Sequence, residues 1–281
     1  MELGLITLTE LTPDPVTGAV ISAGQRLREI VEAARLADEA GLGVFAVGEH
    51  HRSDYAVSSP PVVLAAIAQA TDRIRVTSGT TLLSTADPVR VYQDFATVDL
   101  LSGGRGEIIV GRGASTESFG LFGYSLDDYD ALFAEHLELL MQVNEHERVT
   151  WQGQYRPALN DAEITPRAHQ ERLPIWVGVG GNPASAVRAG GFGLPMTLAL
   201  IGGSPAAAAP VVGLYRQARE TFFPYYRHYL AEQLDGARDD REGQAAKIDL
   251  GKDALVAEEP VLPQSLVDDL LRAADVQSAL R

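Results

Sequence analysis

Cysteine is absent from the 281 residues of this chain, and basic side chains are scarce. Without thiols the protein can form neither a disulfide framework nor a thiolate metal site. The 23 lysines and arginines are outnumbered by 38 aspartates and glutamates, which gives a formal net charge of -15. Nucleic acids and anionic membranes bind basic patches, so the sequence predicts neither as a partner.

Long apolar runs are also missing, and no segment of the sequence reaches the length that a membrane span requires. Residues Met1–Leu11 contain no basic stretch followed by a long apolar run, so no signal peptide is expected. The lack of cysteine fits a reducing compartment. We therefore expect a cytoplasmic protein.

Two motifs that would indicate other folds or other chemistry are absent. Thr9–Thr17, which follows the first predicted strand, contains no G-x-G-x-x-G sequence, and this argues against a doubly wound dinucleotide-binding sheet. No H-E-x-x-H sequence is present, so a zinc-protease site is not indicated.

The sequence does contain a repeated alternation of short apolar runs with amphipathic segments. With 46% hydrophobic residues, the chain can form one large α/β domain or two small ones. The predicted strands are Leu3–Leu8, Val44–Val47, Ile74–Leu83, Glu107–Gly111, Pro174–Val179 and Met196–Ile201. The predicted helices include Ala23–Ala40 and Leu126–Val143. Four more start with a capping residue and proline, at Ser59-Pro60, Asp87-Pro88, Asn182-Pro183 and Ser204-Pro205.

This alternation predicts an α/β fold with parallel strands and right-handed crossovers. Six units approach the (β/α)8 repeat of a TIM barrel, but strands seven and eight are not evident. We therefore expect a TIM-type barrel that is incomplete or modified at its C-terminus. Residues 1–219 are predicted to form the barrel core, and residues 220–281 an atypical, mostly helical segment with a polar linker. Within that segment, a strand could lie in Ala254–Val256 and a final helix in Ser265–Leu280.

The stretch Val44–His51 is a candidate site because ionisable residues follow a buried strand directly. Four apolar residues lead to Gly48, and Glu49, His50 and His51 come next. Ligands of parallel α/β folds bind at the carboxyl ends of the strands, which is where these side chains are expected. The alternative is the start of a polar loop with two solvated histidines.

A second candidate combines glycines with the start of a helix. Gly180, Gly181 and Asn182 lie between the fifth predicted strand and Pro183. Bare backbone N–H groups at a helix N-terminus bind anions, and phosphate suits them best. The alternative is a tight turn that needs glycine only for its geometry.

Polar residues also end the third and fourth predicted strands. Thr77–Thr81 forms a wall of small polar residues against which a flat ring could lie, or is ordinary polarity at a strand end. Arg112 is costly to bury unless it faces a ligand or a carboxylate, and its guanidinium fork suits phosphate oxygens. The alternative partners within the sequence are Glu107 and Glu117.

Four groups of residues occur in a characteristic order along the chain. They are Gly48–His51, Ser78–Thr80 with Asp87–Arg90, Ser102–Arg105 with Gly111–Gly113, and Gly178–Pro183 with Gly193–Pro195. Together they resemble the bacterial luciferase-like flavin monooxygenases, and the resemblance runs from residue 1 to about residue 219. It implies a TIM barrel that uses reduced FMN and dioxygen on a small organic substrate. It also implies a separate flavin reductase and a homodimer packed through early helices.

The resemblance implies roles for individual residues as well. His50 matches a histidine that lies near the flavin as a candidate acid or base, and His51 is its neighbour in the motif; a histidine titrates near neutral pH, which suits proton transfer. The segment Ser78, Gly79 and Thr80 matches one that lies against the flavin ring and often holds a non-proline cis bond. The other candidate cofactor contacts are Arg112, Gly113, Ser115, Gly180, Gly181 and Asn182.

Three classes of function follow, and an FMN-linked oxidoreductase is the favoured one. The deazaflavin F420, which related barrels use, is the less favoured cofactor. The second class is a flavin-binding protein without turnover, because a shortened barrel could retain the phosphate loop alone. The third is a hydrolase or metal enzyme that uses Glu49, His50 and His51. It is the weakest, since adjacent strand residues point to opposite faces and cannot all bind one ion, so no metal is expected.

Overall fold

The computed structural model of the protein describes residues 2–113, 115–201 and 203–242. Within these ranges the strands are β1 (Gly4–Thr7), β2 (Val44–Val47), β3 (Arg75–Ser78), β4 (Thr81–Leu82), β5 (Gly106–Gly111), β6 (Arg148–Trp151), β7 (Leu159–Glu163), β8 (Ile175–Val179) and β9 (Met196–Leu198). The α-helices there are α1 (Ala23–Glu39), α2 (Pro60–Ala70), α3 (Pro88–Ser102), α4 (Glu117–Phe122), α5 (Tyr129–Glu145), α6 (Pro183–Gly191) and α7 (Pro205–Glu242). None of the helices described is both long and apolar enough to cross a bilayer.

The chain divides into two compact units, Met1–Gly178 and Val179–Arg281. In the first unit the sheet has the order β1-β2-β3-β5-β8, with β4 beside β5, and all of these pairs are parallel. The predicted α/β fold with the strand and helix order of a TIM-type barrel is therefore confirmed. The predicted boundary at residue 219 lies inside α7, and that division of the chain stays a prediction.

The register of the sheet brings the carboxyl ends of neighbouring strands to the same edge. Val47 pairs with both Thr7 and Ser78, the last residues of β1 and β3. On the other side, Thr81 pairs with Val110 near the end of β5. The loops that follow these strands therefore begin at one level of the sheet.

The strands in the middle of the sheet are buried on both faces, as their uninterrupted apolar runs predict. Phe45, Val76, Ile108 and Val110 have no exposed surface. The edge strand β1 differs, because the apolar side chains in and around it remain exposed; they are Leu3, Leu5, Ile6 and Leu8.

Three of the four predicted helix caps make the expected hydrogen bond. Asp87 accepts the N–H groups of Val89 and Arg90, Asn182 accepts that of Ala184, and Ser204 accepts that of Ala207. Each cap satisfies a donor that the first helical turn leaves free. Ser59 makes no such bond, and Pro60 alone marks that helix start.

Several predicted boundaries were wrong. The last strand stops at Leu198 rather than Ile201, while Ile74–Leu83, predicted as the third strand and its exit, contains β3 and β4 on either side of the Gly79–Thr80 peptide. Helix α4 and the antiparallel hairpin of β6 and β7 were not predicted. The predicted elements Ala254–Val256 and Ser265–Leu280 lie outside the described residues.

The second unit begins with Val179, the last residue of β8. The Ala199 N–H donates to the Val179 carbonyl over 2.9 Å. Helix α6 packs closely on α7, since a Cβ at Gly190 would lie 2.4 Å from the Tyr215 carbonyl oxygen. Their contact buries an apolar cluster of Val187, Leu214, Ala218 and Phe222.

Candidate active site

His50 lies two residues beyond Gly48, where the chain leaves the sheet after β2. Its N–H donates to the Val57 carbonyl over 2.9 Å, so the intervening loop closes on itself. The imidazole is half-buried and stacks on the ring of Tyr55, with ring centroids 3.8 Å apart and planes inclined by 21°. Burial, with the nearby charge of Arg52, lowers the pKa of His50 below its ordinary value of 6.5. Near neutral pH the ring is therefore mostly uncharged and able to accept a proton.

His51 is held by the carboxylate of Glu49. His51 Nε2 lies 2.9 Å from Glu49 Oε1, and the two side chains are only 8% and 11% exposed. The other carboxylate oxygen accepts the N–H of Leu82 over 3.1 Å. The ring edge of His51 also contacts Phe122, with centroids 5.1 Å apart. No group of three or more metal-binding side chains is found among the described residues.

A cavity of about 290 Å³ opens beside the two histidines. Its lining includes His50, His51, Arg52, Tyr55 and Leu121. The wall therefore combines an imidazole that can exchange a proton with aromatic and aliphatic surface.

The segment Ser78–Thr80 leaves β3 at the same edge, and the Gly79–Thr80 peptide bond is cis, as the resemblance implied. Ser78 is fully buried and links β3 to β5, because its Oγ donates to the Ile109 carbonyl over 2.9 Å. Gly79 and Thr80 are half-buried. The accessible surface of this segment thus comes from Gly79 and Thr80, and its contact with a cofactor stays a prediction.

The side chain of Thr80 lies across two strands that carry glycine at the contact points. A Cβ on Gly111 would lie 2.5 Å from Thr80 Oγ1, and a Cβ on Gly178 would lie 2.7 Å from Thr80 Cγ2. A Cβ on Gly79 would lie 2.8 Å from Ile6 Cδ1. A larger residue at these positions would clash, because the side chains of Thr80 and Ile6 already fill the space where its Cβ would lie.

Arg112 already has a carboxylate partner, but neither of the two that the sequence suggested. Its guanidinium forms an ion pair with Asp130 and lies 4.9 Å from the ring centroid of Tyr129, and its side chain is 13% exposed. The suggested partners are engaged elsewhere: Glu107 pairs with Arg75 at 2.6 Å and Glu117 lies 3.6 Å from Arg52. Asp130 therefore offsets the cost of burying Arg112, and a phosphate contact of Arg112 stays a prediction.

The residues that follow Arg112 are placed by the same helix. The hydroxyl of Tyr129 donates to the Gly113 carbonyl over 3.0 Å, and Gly113 has a left-handed φ of 80°. Gly113 and Ser115 are half-buried, and their predicted cofactor contacts stay predictions.

The predicted phosphate loop lies in the second unit, at the start of α6. Asn182 Oδ1 accepts the Ala184 N–H over 2.9 Å, and Gly181 has a φ of 95° that disfavours other residues. Gly180, Gly181 and Asn182 are exposed, and a Cβ on either glycine would meet no atom within 4 Å. The turn geometry accounts for Gly181, whereas phosphate binding by this loop stays a prediction.

The sequence did not identify the side chains that contact the predicted site residues. Tyr55 stacks on His50, Asp130 pairs with Arg112, and Leu121 and Phe122 of α4 line the region of His51. No periodicity or motif marks these residues. Their roles arise from loops that return to the sheet edge.

A family model described as luciferase-like monooxygenase matches residues 1–242. The protein is similar in structure to monooxygenase RslO1 from Streptomyces bottropensis, with a TM-score of 0.69 and 29% identity over 78% of this chain and 66% of that one. It also resembles the oxygenating constituent of 3,6-diketocamphane monooxygenase from Pseudomonas putida, determined in complex with FMN. That likeness has a TM-score of 0.66 and 20% identity over 78% of this chain and 62% of that one.

A sequence relative shows that the cofactor varies among similar proteins. The F420-dependent glucose-6-phosphate dehydrogenase of Amycolatopsis mediterranei is 32% identical over 180 residues, which are 59% of this chain and 51% of the relative. The chain spans about half the length of the curated relatives that it matches. Since the family model covers most of the sequence, the chain belongs to the luciferase-like monooxygenase family.

Proposed function

We propose that this protein is a flavin-dependent monooxygenase that uses reduced FMN and dioxygen on a small organic substrate. The observation that carries the proposal is the placement of the half-buried Gly79 and Thr80 at the sheet edge from which His50 emerges. A flat ring can rest against the accessible part of this segment, and a half-buried imidazole follows the neighbouring strand. A separate flavin reductase supplies the reduced cofactor, and the protein acts as a cytoplasmic homodimer.

Each proposed site residue has its own chemical role. His50, neutral near pH 7, accepts or returns a proton at the substrate or at the cofactor. His51, held by Glu49, forms the adjoining wall of the cavity. Arg112, with Gly113 and Ser115, contacts the cofactor. In the second unit, the exposed amides of the Gly180–Asn182 turn bind phosphate. When bound, reduced FMN supplies the electrons that activate dioxygen.

FMN is the proposed cofactor, and F420 is the alternative. FMN is supported by the named complex of the Pseudomonas putida relative in fold, and F420 by the name of the Amycolatopsis mediterranei relative in sequence. Titration of the purified protein with each cofactor, monitored by fluorescence quenching, separates the two. We expect FMN to bind with a dissociation constant at least tenfold lower than that of F420.

Oxygen consumption tests turnover directly. The protein is mixed anaerobically with photoreduced FMN, then with air-saturated buffer and a panel of aldehydes, ketones and thioethers. We expect at least one substrate to yield a product that gains an atom of ¹⁸O from labelled dioxygen. Binding of FMN with no labelled product from any substrate would instead support the second function, flavin binding without turnover.

A further inference from the structure

The ring of Tyr55 covers one face of the His50 imidazole. The ring centroids lie 3.8 Å apart and the planes are inclined by 21°, which is a stacked arrangement. Both rings line the cavity beside the sheet edge. Stacking on one face holds the plane of the imidazole, because tilting the ring would break the contact.

The loop that carries Tyr55 is itself held at both ends and in its middle. Tyr55 forms an antiparallel bridge with Glu10, in the loop that follows β1. Three backbone hydrogen bonds surround this bridge: Ala56 N–H to the Thr9 carbonyl (2.8 Å), Leu11 N–H to the Asp54 carbonyl (2.8 Å) and His50 N–H to the Val57 carbonyl (2.9 Å). Tyr55 is therefore placed by the backbone and does not depend on His50 for its position.

Arg52 adds a charged contact to the same loop. Its guanidinium forms a two-fold hydrogen bond with Asp54, with both distances 2.9 Å, and lies 5.8 Å from the centroid of the Tyr55 ring. It also approaches Glu117 at the start of α4, at 3.6 Å. The loop thus presents an aromatic ring to His50, and the Arg52 cation lies near that ring.

We propose that Tyr55 is a positioning residue that fixes the plane of the His50 ring for proton transfer. The proposal deepens the proposed function and rests on it, because it assigns Tyr55 a part in the chemistry of His50. Tyr55 acts through its ring, and its hydroxyl is not required.

The charged groups near His50 do not reverse the lowering of its pKa. Burial is the largest cause of its lowered pKa and the charge of Arg52 adds to it, while Asp54, Glu49 and Glu10 act in the opposite direction. Removing the Tyr55 ring exposes the imidazole to water. This weakens the effect of burial, which is the largest cause of the lowered pKa. The pKa of His50 is then expected to rise towards 6.5.

Nuclear magnetic resonance of the full-length protein tests this without any turnover. The ring protons of His50, identified by their loss in His50→Gln, are titrated in the wild type, Tyr55→Ala, Tyr55→Phe and Arg52→Gln. In Tyr55→Ala we expect a downfield shift of these protons, because the ring current is lost, and a higher pKa of His50. Tyr55→Phe retains both the shift and the pKa of the wild type, whereas Arg52→Gln raises the pKa with the ring-current shift retained.

Kinetics then connect the ring to the reaction. In Tyr55→Ala we expect kcat to fall about tenfold with little change in KM, because a loosely held base misses its geometry. The lower limb of the pH profile of kcat/KM should move to higher pH with the pKa of His50. Tyr55→Leu, which fills the space with an aliphatic side chain, replaces Tyr55→Ala if the latter does not fold.

Two results would overturn the positioning role. One is a His50 pKa and ring-proton shift in Tyr55→Ala, or in its replacement Tyr55→Leu, that equal those of the wild type. The other is a Tyr55→Phe variant that behaves like Tyr55→Ala, which would assign the effect to the hydroxyl. If the variants show the expected resonance changes but the wild-type protein oxygenates no substrate, the result counts against the proposed function alone.

Discussion

Glu49 joins the ends of two strands, because its Oε2 accepts the N–H of Leu82 over 3.1 Å while its Oε1 meets His51 Nε2 at 2.9 Å. Leu82 ends β4, just beyond the Gly79–Thr80 segment. The same side chain therefore orients His51 and ties the loop after β2 to the strand that borders the predicted flavin surface.

Replacing Glu49 by alanine should destabilise the protein by about 1.5–3 kcal/mol, the usual contribution of hydrogen bonds to a charged group. Glu49→Gln should lose less, because an amide oxygen can still accept from one of the two donors. Urea denaturation of both variants measures the free energy of unfolding, with the exposed Glu171→Ala as the control. Equal stability of Glu49→Ala and Glu171→Ala would show that the two hydrogen bonds contribute nothing.

His50→Ala should lower kcat by about 10²–10⁴-fold, the range in which general acid–base catalysis contributes. The dissociation constant for FMN should change little, since the imidazole contributes a proton-transfer group rather than a phosphate contact. Steady-state oxygenation and fluorescence titration give the two quantities. A variant with wild-type kcat would remove His50 from the chemistry.

Arg112→Ala should raise the dissociation constant for FMN about tenfold, equivalent to the loss of one charge-assisted contact. Because Arg112 also pairs with Asp130, the variant Asp130→Asn is the informative companion: it frees the guanidinium from its carboxylate and should not weaken binding. The exposed Arg28→Ala serves as the control for a change in net charge. If Arg112→Ala binds FMN as tightly as Arg28→Ala does, Arg112 has only the structural role of pairing with Asp130.

The stability of the fold should decrease as the pH falls below about 6.5, the ordinary pKa of histidine. His136 is buried, with Nδ1 2.8 Å from the Leu83 carbonyl, and burial lowers its pKa despite that hydrogen bond and the charges of Glu135 and Asp87. A lowered pKa in the folded state means that the unfolded chain binds the proton first. The stabilisation is therefore complete above pH 6.5 and is lost as the pH falls from there towards the folded pKa.

The variant His136→Gln isolates this contribution, because glutamine keeps an amide donor for Leu83 and does not titrate. Between pH 7.5 and 5 the slope of unfolding free energy against pH should be smaller than in the wild type, by at most about 1.4 kcal/mol per pH unit. Part of the slope should remain, since the pKa values of His50 and His146 are lowered as well. An identical slope in the two proteins would exclude His136 as a source of acid sensitivity.

Much of the fold was determined by interactions within a few residues along the chain. Apolar runs such as Val44–Val47 predict buried strands, and Asp87 and Asn182 identify helix starts because a capping side chain bonds to N–H groups two or three residues ahead. For the same reason His50 and Arg112 could be placed at the carboxyl ends of strands. The hairpin of β6 and β7 escaped prediction, because Leu159–Glu163 is largely polar and lacks an apolar alternation.

By itself, the sequence determined which residues reach the edge of the sheet; which residues they contact there was decided by tertiary structure alone. Tyr55 reaches His50 through a loop bonded to the segment after β1, and Asp130 reaches Arg112 from a helix eighteen positions further along. Such contacts depend on loop paths and side-chain rotamers, which no local pattern records. The pKa of His50 follows from them, because burial is a property of the folded molecule and not of the residue.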